Sequence, residues 1–156
     1  MRLLYFIDFL HTPGGMERVL SLKANYLAQK GYDVHIACLS SPKPIFFPLY
    51  EKVGVHYLSI DNYSIPLLDR ILKGASYTQE HFVKVQALVE KIQPDICISL
   101  LGNEFYFLPK LTDKSKKFVE LHNSMESHII QVEEGRFSHL KKWYRNTIPS
   151  QFLSIK

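Results

Sequence analysis

Leu3-Leu4-Tyr5-Phe6-Ile7, followed by Asp8-Phe9-Leu10-His11-Thr12-Pro13-Gly14-Gly15 and then by Met16-Glu17-Arg18-Val19-Leu20, decides the architecture. The unbroken apolar run reads as a strand buried on both faces. Met16, Val19, Leu20, Ala24, Leu27 and Ala28 recur at helical spacing, with Glu17 in the first turn and Gly31 as a stop signal. Between the two runs, the doublet Gly14-Gly15 lets backbone N–H groups come close to a ligand at the start of a helix, where the helix dipole favours an anion. The passage therefore points to a phosphate site. It is neither the dinucleotide fingerprint G-x-G-x-x-G nor a P-loop, because no Gly-Lys-Ser/Thr follows. A plain tight turn is the competing reading of the same doublet.

The rest of the chain repeats the alternation of strand and helix. Tyr32, Val34, Ile36 and Cys38 begin a second strand, which Ser40-Ser41-Pro42-Lys43-Pro44 breaks, and Val55 to Ile60 reads as a third. After an irregular or partly helical stretch through Leu72, the residues Phe82, Val85, Leu88, Val89 and Ile92 form the stripe of a helix ended by Pro94. Asp95 to Leu100 is expected to be a fully buried fourth strand, Glu104 to Leu111 a short helix, and Lys116 to Leu121 a fifth strand. Strands joined by helical crossovers make a mostly parallel sheet with helices on both faces. The expected fold is thus α/β, a doubly wound, Rossmann-like single domain with strand order 3-2-1-4-5.

Composition narrows the functional classes. A chain of 156 residues with 46% hydrophobic and 22% charged residues can bury one core, and it has no repeat or low-complexity tract. Its apolar windows are too short for a membrane-spanning helix, and the start lacks the form of a signal peptide. A cytoplasmic location is expected. Cys38 and Cys97 lie in strand-like runs, read as small buried hydrophobes, with a disulfide the weaker reading. The net charge of +4 is concentrated at one end: residues 136–156 contain five basic residues and no acid. Arg136, Lys141, Lys142 and Arg145 alternate with Phe137, Leu140, Trp143 and Tyr144, the composition of a helix that can lie on an anionic membrane or simply expose a basic face. Residues 1–135 add no further basic patch, so nucleic acid is not expected as a partner.

In a sheet wound in this order, ligands bind beyond the carboxyl ends of the strands where the winding reverses, between strands one and four. Three loops meet there: Asp8 to Gly15, Leu101-Gly102-Asn103-Glu104, and His122-Asn123-Ser124. His122 can hydrogen-bond a sugar hydroxyl or shuttle a proton, though a surface loop histidine is the bland alternative. Asn103 and Glu104 can recognise hydroxyls or cap the helix that follows them, and Asn123 and Ser124 can do likewise. No pair of His, Cys or carboxylate residues shows metal-ligand spacing, so no metal is expected.

Taken in order, these residues resemble the amino-terminal half of the GT-B glycosyltransferases, particularly the family-4 type of retaining enzymes. The resemblance rests on the first strand followed by Pro13-Gly14-Gly15-Met16-Glu17-Arg18, on Leu27-Ala28-Gln29-Lys30-Gly31-Tyr32-Asp33-Val34, on Pro94-Asp95, and on His122-Asn123. It covers essentially the whole chain. It implies an acceptor-binding half, with a nucleotide-sugar as co-substrate held mainly by a second domain and no tightly bound cofactor. It further implies that Gly14 and Gly15 approach the donor diphosphate and that His122 contacts the donor sugar near the reacting carbon. Asn103, Glu104 and Asn123 would face a polysaccharide or lipid-linked acceptor. No donor-binding domain or paired glutamates are found within these 156 residues, so the chain alone is expected to have little or no activity.

Two other readings compete. The chain can be a non-catalytic subunit that recruits a separate donor-binding chain, and a membrane through its basic tail. A phospho-acceptor receiver domain has the same winding and carboxylates at Asp8 and Asp61, but the paired acids expected at its first strand and the Lys-Pro expected after its fifth are missing.

Overall fold

The computed structural model describes residues 1–60, 67–100 and 102–120, with the backbone alone described for 67–78, Asn103 and Tyr106. These residues fall in one compact unit, Met1–Glu120. In chain order the elements are β1 (Arg2–Ile7), α1 (Gly15–Gln29), β2 (Asp33–Cys38), β3 (Gly54–Tyr57), α2 (Leu67–Ile92), β4 (Ile96–Ser99), two 3₁₀ turns (Asn103–Tyr106 and Leu108–Lys110) and β5 (Lys116–Val119). The five strands form one sheet in the order β3-β2-β1-β4-β5, and each neighbouring pair is parallel. Fold class and strand order are those expected from the alternation of apolar runs.

The central position of β1 explains its composition. Leu3, Leu4, Tyr5, Phe6 and Ile7 are all buried, and they alternate between two cores. Leu3, Tyr5 and Ile7 pack with Val34, Ile36 and Cys38 of β2 and with Leu20, Ala24 and Ala28 of α1. Leu4 and Phe6 pack with Ala37 and Cys97 and with Val85, Val89 and Ile92 of α2. Full burial of a side chain such as Leu4 or Phe6 contributes roughly 1.5–3 kcal/mol. The two cysteines belong to opposite cores and are free thiols.

Helix α1 stops where the sequence placed its stop. Gly31 takes φ +86, its N–H donates to the Ala28 carbonyl at 3.0 Å, and the Tyr32 N–H donates to the Leu27 carbonyl at 3.1 Å. This is a Schellman cap, whose left-handed residue is best supplied by glycine. The end of α2 is closed by Arg2, whose guanidinium donates to the Ile92 and Gln93 carbonyls and pairs with Asp33 at 2.6 Å. The backbone N–H of Arg2 donates to Asp95 at 2.6 Å. One side chain thereby ties the amino ends of β1 and β2 to the helix that precedes β4.

Two expectations are corrected, while the partly helical reading of the stretch through Leu72 holds: α2 begins at Leu67 and runs for 26 residues, and its interior Gly74 costs about 1 kcal/mol without ending it. The segment expected as a helix over 104–111 is two 3₁₀ turns. Pro109 lacks an N–H and its ring would collide with the preceding turn of a continuous helix, so the chain restarts at Leu108 with proline in the first turn. Strand β4 is buried on one face only: Cys97 and Ser99 are buried, while Ile96 and Ile98 are half-buried.

His81 lies on α2, only 1% exposed, with its ring edge-to-face against Phe107 at 4.8 Å. Its Nε2 is buried with no hydrogen-bond partner. Burial, helped by nearby Lys84, pushes the imidazole down from 6.5 to about 4. The unfolded chain therefore binds this proton at higher pH than the folded one, so the contribution to stability is complete above pH 6.5 and lost as pH falls towards 4. The loss amounts to roughly 3 kcal/mol. Denaturant unfolding between pH 7.5 and 4.5 should show a clearly shallower decline for His81→Phe than for the parent chain; identical slopes would refute the assignment.

Candidate functional site

The carboxyl ends of β1 and β4 carry the polar residues that the winding order places at the switch point. The loop after β1 is held from below: Ser40 N–H donates to the Asp8 carbonyl at 3.1 Å and Phe46 N–H to the Leu10 carbonyl at 2.8 Å. Its end, Gly14, is the residue from which α1 starts, with extended backbone (φ −80, ψ 161) and no side-chain cap. Arg18 N–H donates to the Gly14 carbonyl as the first helical bond, leaving the N–H groups of the first turn without intrahelical acceptors. Gly15 is exposed, and a Cβ placed there would meet nothing within 4 Å.

Gly14 has a different reason to be glycine. A Cβ at this position would stand 2.0 Å from Glu17 Oε2, because the Glu17 carboxylate folds back over the glycine in the manner of a capping box. Glu17 is buried and accepts a hydrogen bond from Thr12. The loop after β4 repeats the arrangement. Gly102 starts the first 3₁₀ turn, and a Cβ there would stand 2.3 Å from Glu104 Oε2.

Glu104 is completely buried. Its Oε1 accepts from the Ser99 hydroxyl at 2.7 Å, while Oε2 is buried with no hydrogen-bond partner. Burial pushes this carboxyl above the usual range; the Ser99 hydrogen bond works against the rise, and the charge of nearby Asp8 adds to it. Such a carboxyl, pushed towards its protonated form, is able when protonated to donate a hydrogen bond as well as accept one. His11, in the loop after β1, also has a buried ring nitrogen, Nδ1, with no partner, and its ring lies edge-on to Phe9. At the far side of the rim Glu120 N–H donates to the Ser99 carbonyl at 2.9 Å. The Glu120 side chain pairs with Lys23 of α1, and burial together with the Glu120 charge holds the Tyr5 phenol up at about 12.

Gly14 and Gly15 follow β1 and Glu104 follows β4, so all three lie at the carboxyl rim of the sheet. Glu104, however, faces inward and holds its own loop, so contact with an acceptor would require that loop to move. Asn103 is placed by its backbone at the start of the turn. His122, Asn123 and Ser124 lie outside the described residues, as do Asp61 and the basic residues Arg136, Lys141, Lys142 and Arg145. The back-folded pairs Gly14–Glu17 and Gly102–Glu104 escaped the sequence reading. Their only trace was a glycine followed within three residues by Glu, a pattern too common to signal anything alone. Among the described residues no helix is long and apolar enough to cross a membrane.

No protein-family model matches the chain. Over 101 residues it is 31% identical to an uncharacterized glycosyltransferase of Haemophilus influenzae, a match covering 63% of this chain and 25% of the relative. The chain thus spans about a quarter of the length of that relative. Its fold is similar to that of part of sucrose-phosphate synthase from Thermosynechococcus elongatus, with a TM-score of 0.60 and 9% identity over 88% of this chain and 36% of that one. At this identity the likeness concerns the fold. Over part of its length the chain is thus similar in sequence to a glycosyltransferase, and it shares its fold with part of sucrose-phosphate synthase.

The state of Glu104 has a measurable consequence. A carboxyl whose folded value is raised favours stability below its unfolded value and loses that stability as pH rises from there towards the folded value. Glu104→Gln should therefore be more stable than the parent chain at pH 7, with the advantage shrinking as pH falls towards about 4.5 and absent below it. Glu104→Ala, which removes the partner of Ser99 and opens a void, should cost at least about 1–3 kcal/mol. Equilibrium denaturation of both variants at pH 7 and pH 4 decides the matter.

Proposed function

We propose that this chain is the acceptor-side half of a retaining glycosyltransferase that moves a sugar from a nucleotide-sugar donor to a polysaccharide or lipid-linked acceptor. The observation that carries the reading is the open amino end of α1. Exposed Gly15 has free space above its α-carbon, on the carboxyl rim of the sheet, in a chain similar to a glycosyltransferase.

The chemistry explains why such a feature is useful. When the bond between the anomeric carbon and the diphosphate oxygen breaks, a new bond forms to an acceptor hydroxyl oxygen, and the hydroxyl proton passes to the departing diphosphate. Negative charge builds up on the diphosphate in the transition state. Pre-aligned N–H groups at a helix start stabilise that charge without having to reorganise. In this reading Gly15, Met16 and Glu17 supply these donors, and Gly14 keeps the Glu17 carboxylate folded back, away from the incoming phosphate. His122 contacts the donor sugar, while Asn103, Asn123 and the loop held by Glu104 face the acceptor. No metal is assigned a role. A donor-binding domain supplies the opposite wall of the cleft, and Arg136, Lys141, Lys142 and Arg145 place the enzyme at the inner face of an anionic membrane.

Gly15→Ala separates a functional glycine from a plain turn. Alanine meets no neighbour at this position and is the better helix former, so the variant should unfold no earlier than the parent. Titration with uridine, guanosine and adenosine diphosphates, followed by backbone amide shifts, should move the signals of Gly15, Met16 and Glu17 for at least one nucleotide. The added methyl should weaken that binding by roughly tenfold, or 1.4 kcal/mol. Binding that ignores residues 14–17, or a variant that binds unchanged, would defeat the proposal.

A further inference from the structure

Two histidines far from the rim converge across neighbouring strands. His35 of β2 lies opposite Gly54 of β3, and Ala37 opposite His56, so both imidazoles share the face of the sheet on which Ala37 meets α2. His35 Nδ1 and His56 Nε2 are 3.0 Å apart. Glycine at 54 makes this possible: a Cβ there would stand 2.5 Å from His35 Nδ1 and 3.4 Å from His56 Nε2. The pair is supported from behind. His35 Nε2 lies 3.0 Å from Asp33 Oδ1, and Asp33 Oδ2 lies 2.6 Å from Arg2 Nε.

This is the arrangement in which a carboxylate orients a metal-binding imidazole from its far nitrogen. With Asp33 accepting from Arg2 on one oxygen and facing His35 Nε2 with the other, the His35 proton belongs on Nε2 and the Nδ1 lone pair faces His56. His35 keeps 20% of its side chain exposed, which gives an ion a path from solvent.

We propose that His35 and His56 form a two-imidazole site for a late first-row divalent cation, copper(II) foremost, with water completing the coordination and Asp33 holding the His35 ring. With metal–nitrogen bonds of about 2.0–2.1 Å, a nitrogen separation of 3.0 Å places the two bonds close to a right angle. Tetragonal copper(II) and nickel(II) prefer that angle, tetrahedral zinc a wider one, and copper(II) also leads the affinity order. Among the described residues no group of three or more His, Cys, Asp or Glu side chains could hold a metal, so the protein supplies two ligands and affinity depends on their pre-alignment. The bound ion would replace the proton shared by the two rings and pin β3 to β2.

The test is titration of the full chain with copper(II) sulfate at pH 7.5. In the parent protein, substoichiometric copper should broaden the ring signals of His35 and His56 before those of the other five histidines. Electron paramagnetic resonance should report two equatorial nitrogens, and the unfolding temperature should rise more with copper(II) than with nickel(II) or zinc(II). His56→Gln should weaken copper binding at least tenfold and leave one-nitrogen coordination. Gly54→Ala, which keeps both rings but pushes them apart, should weaken it several-fold. Broadening that begins at other histidines, or affinity untouched by both substitutions, would overturn the assignment, and the first readout needs no variant to fold.

Discussion

The structure depends on β1 being buried on both faces. A strand whose two faces are both covered by helices exposes no side chain to water, so each of Leu3 to Ile7 must find an apolar partner. The period-two alternation sends Leu3, Tyr5 and Ile7 to the α1 core and Leu4 and Phe6 to the α2 core. Once that is fixed, α1 must cover one face and α2 the other, and β2 and β4 must flank the strand. The crevice where the winding reverses then opens above Ile7, where the chain turns polar at Asp8. The constraint that builds the core also locates that rim.

At that rim the same local device appears twice. A glycine begins a turn, and a glutamate within the first turn folds back over it. The outcomes differ because their surroundings differ. Glu17, bonded to Thr12, lies below an exposed helix start, whereas Glu104 is sealed against Ser99 and pushed towards its neutral form. The first arrangement leaves backbone donors facing outward; the second stiffens a loop from inside.

Much of this was legible in the residues, for identifiable reasons. Apolar runs, helical spacing and Gly31 fix β1, α1 and β2 closely because burial, periodicity and the left-handed cap are local properties. Strand order follows from the economy of crossovers. What escaped was set by contacts distant in sequence or by competition between local preferences. Nothing near Glu104 shows that it is enclosed, since its partner Ser99 belongs to a strand and its neighbour Asp8 lies at the other end of the chain's first loop. Pro109 split an expected helix, and the imidazoles of His35 and His56 meet only because Gly54 stands opposite His35. Spacing along a chain carries no record of such cross-strand meetings.

The Arg2 clamp also bears on how the protein is made. β1 is synthesised before either of the strands it pairs with, and Arg2 engages Asp33 in β2 and Asp95 just before β4. At a synthesis rate of roughly 5–20 residues per second, the apolar segment Leu3–Ile7 waits on the order of 5–20 s before its second neighbour exists. During that interval a β-prone hydrophobic strand is exposed on a nascent chain. Escape from aggregation at this stage rests on α1, which is local, quick to form and able to shield one face of β1 while the other waits.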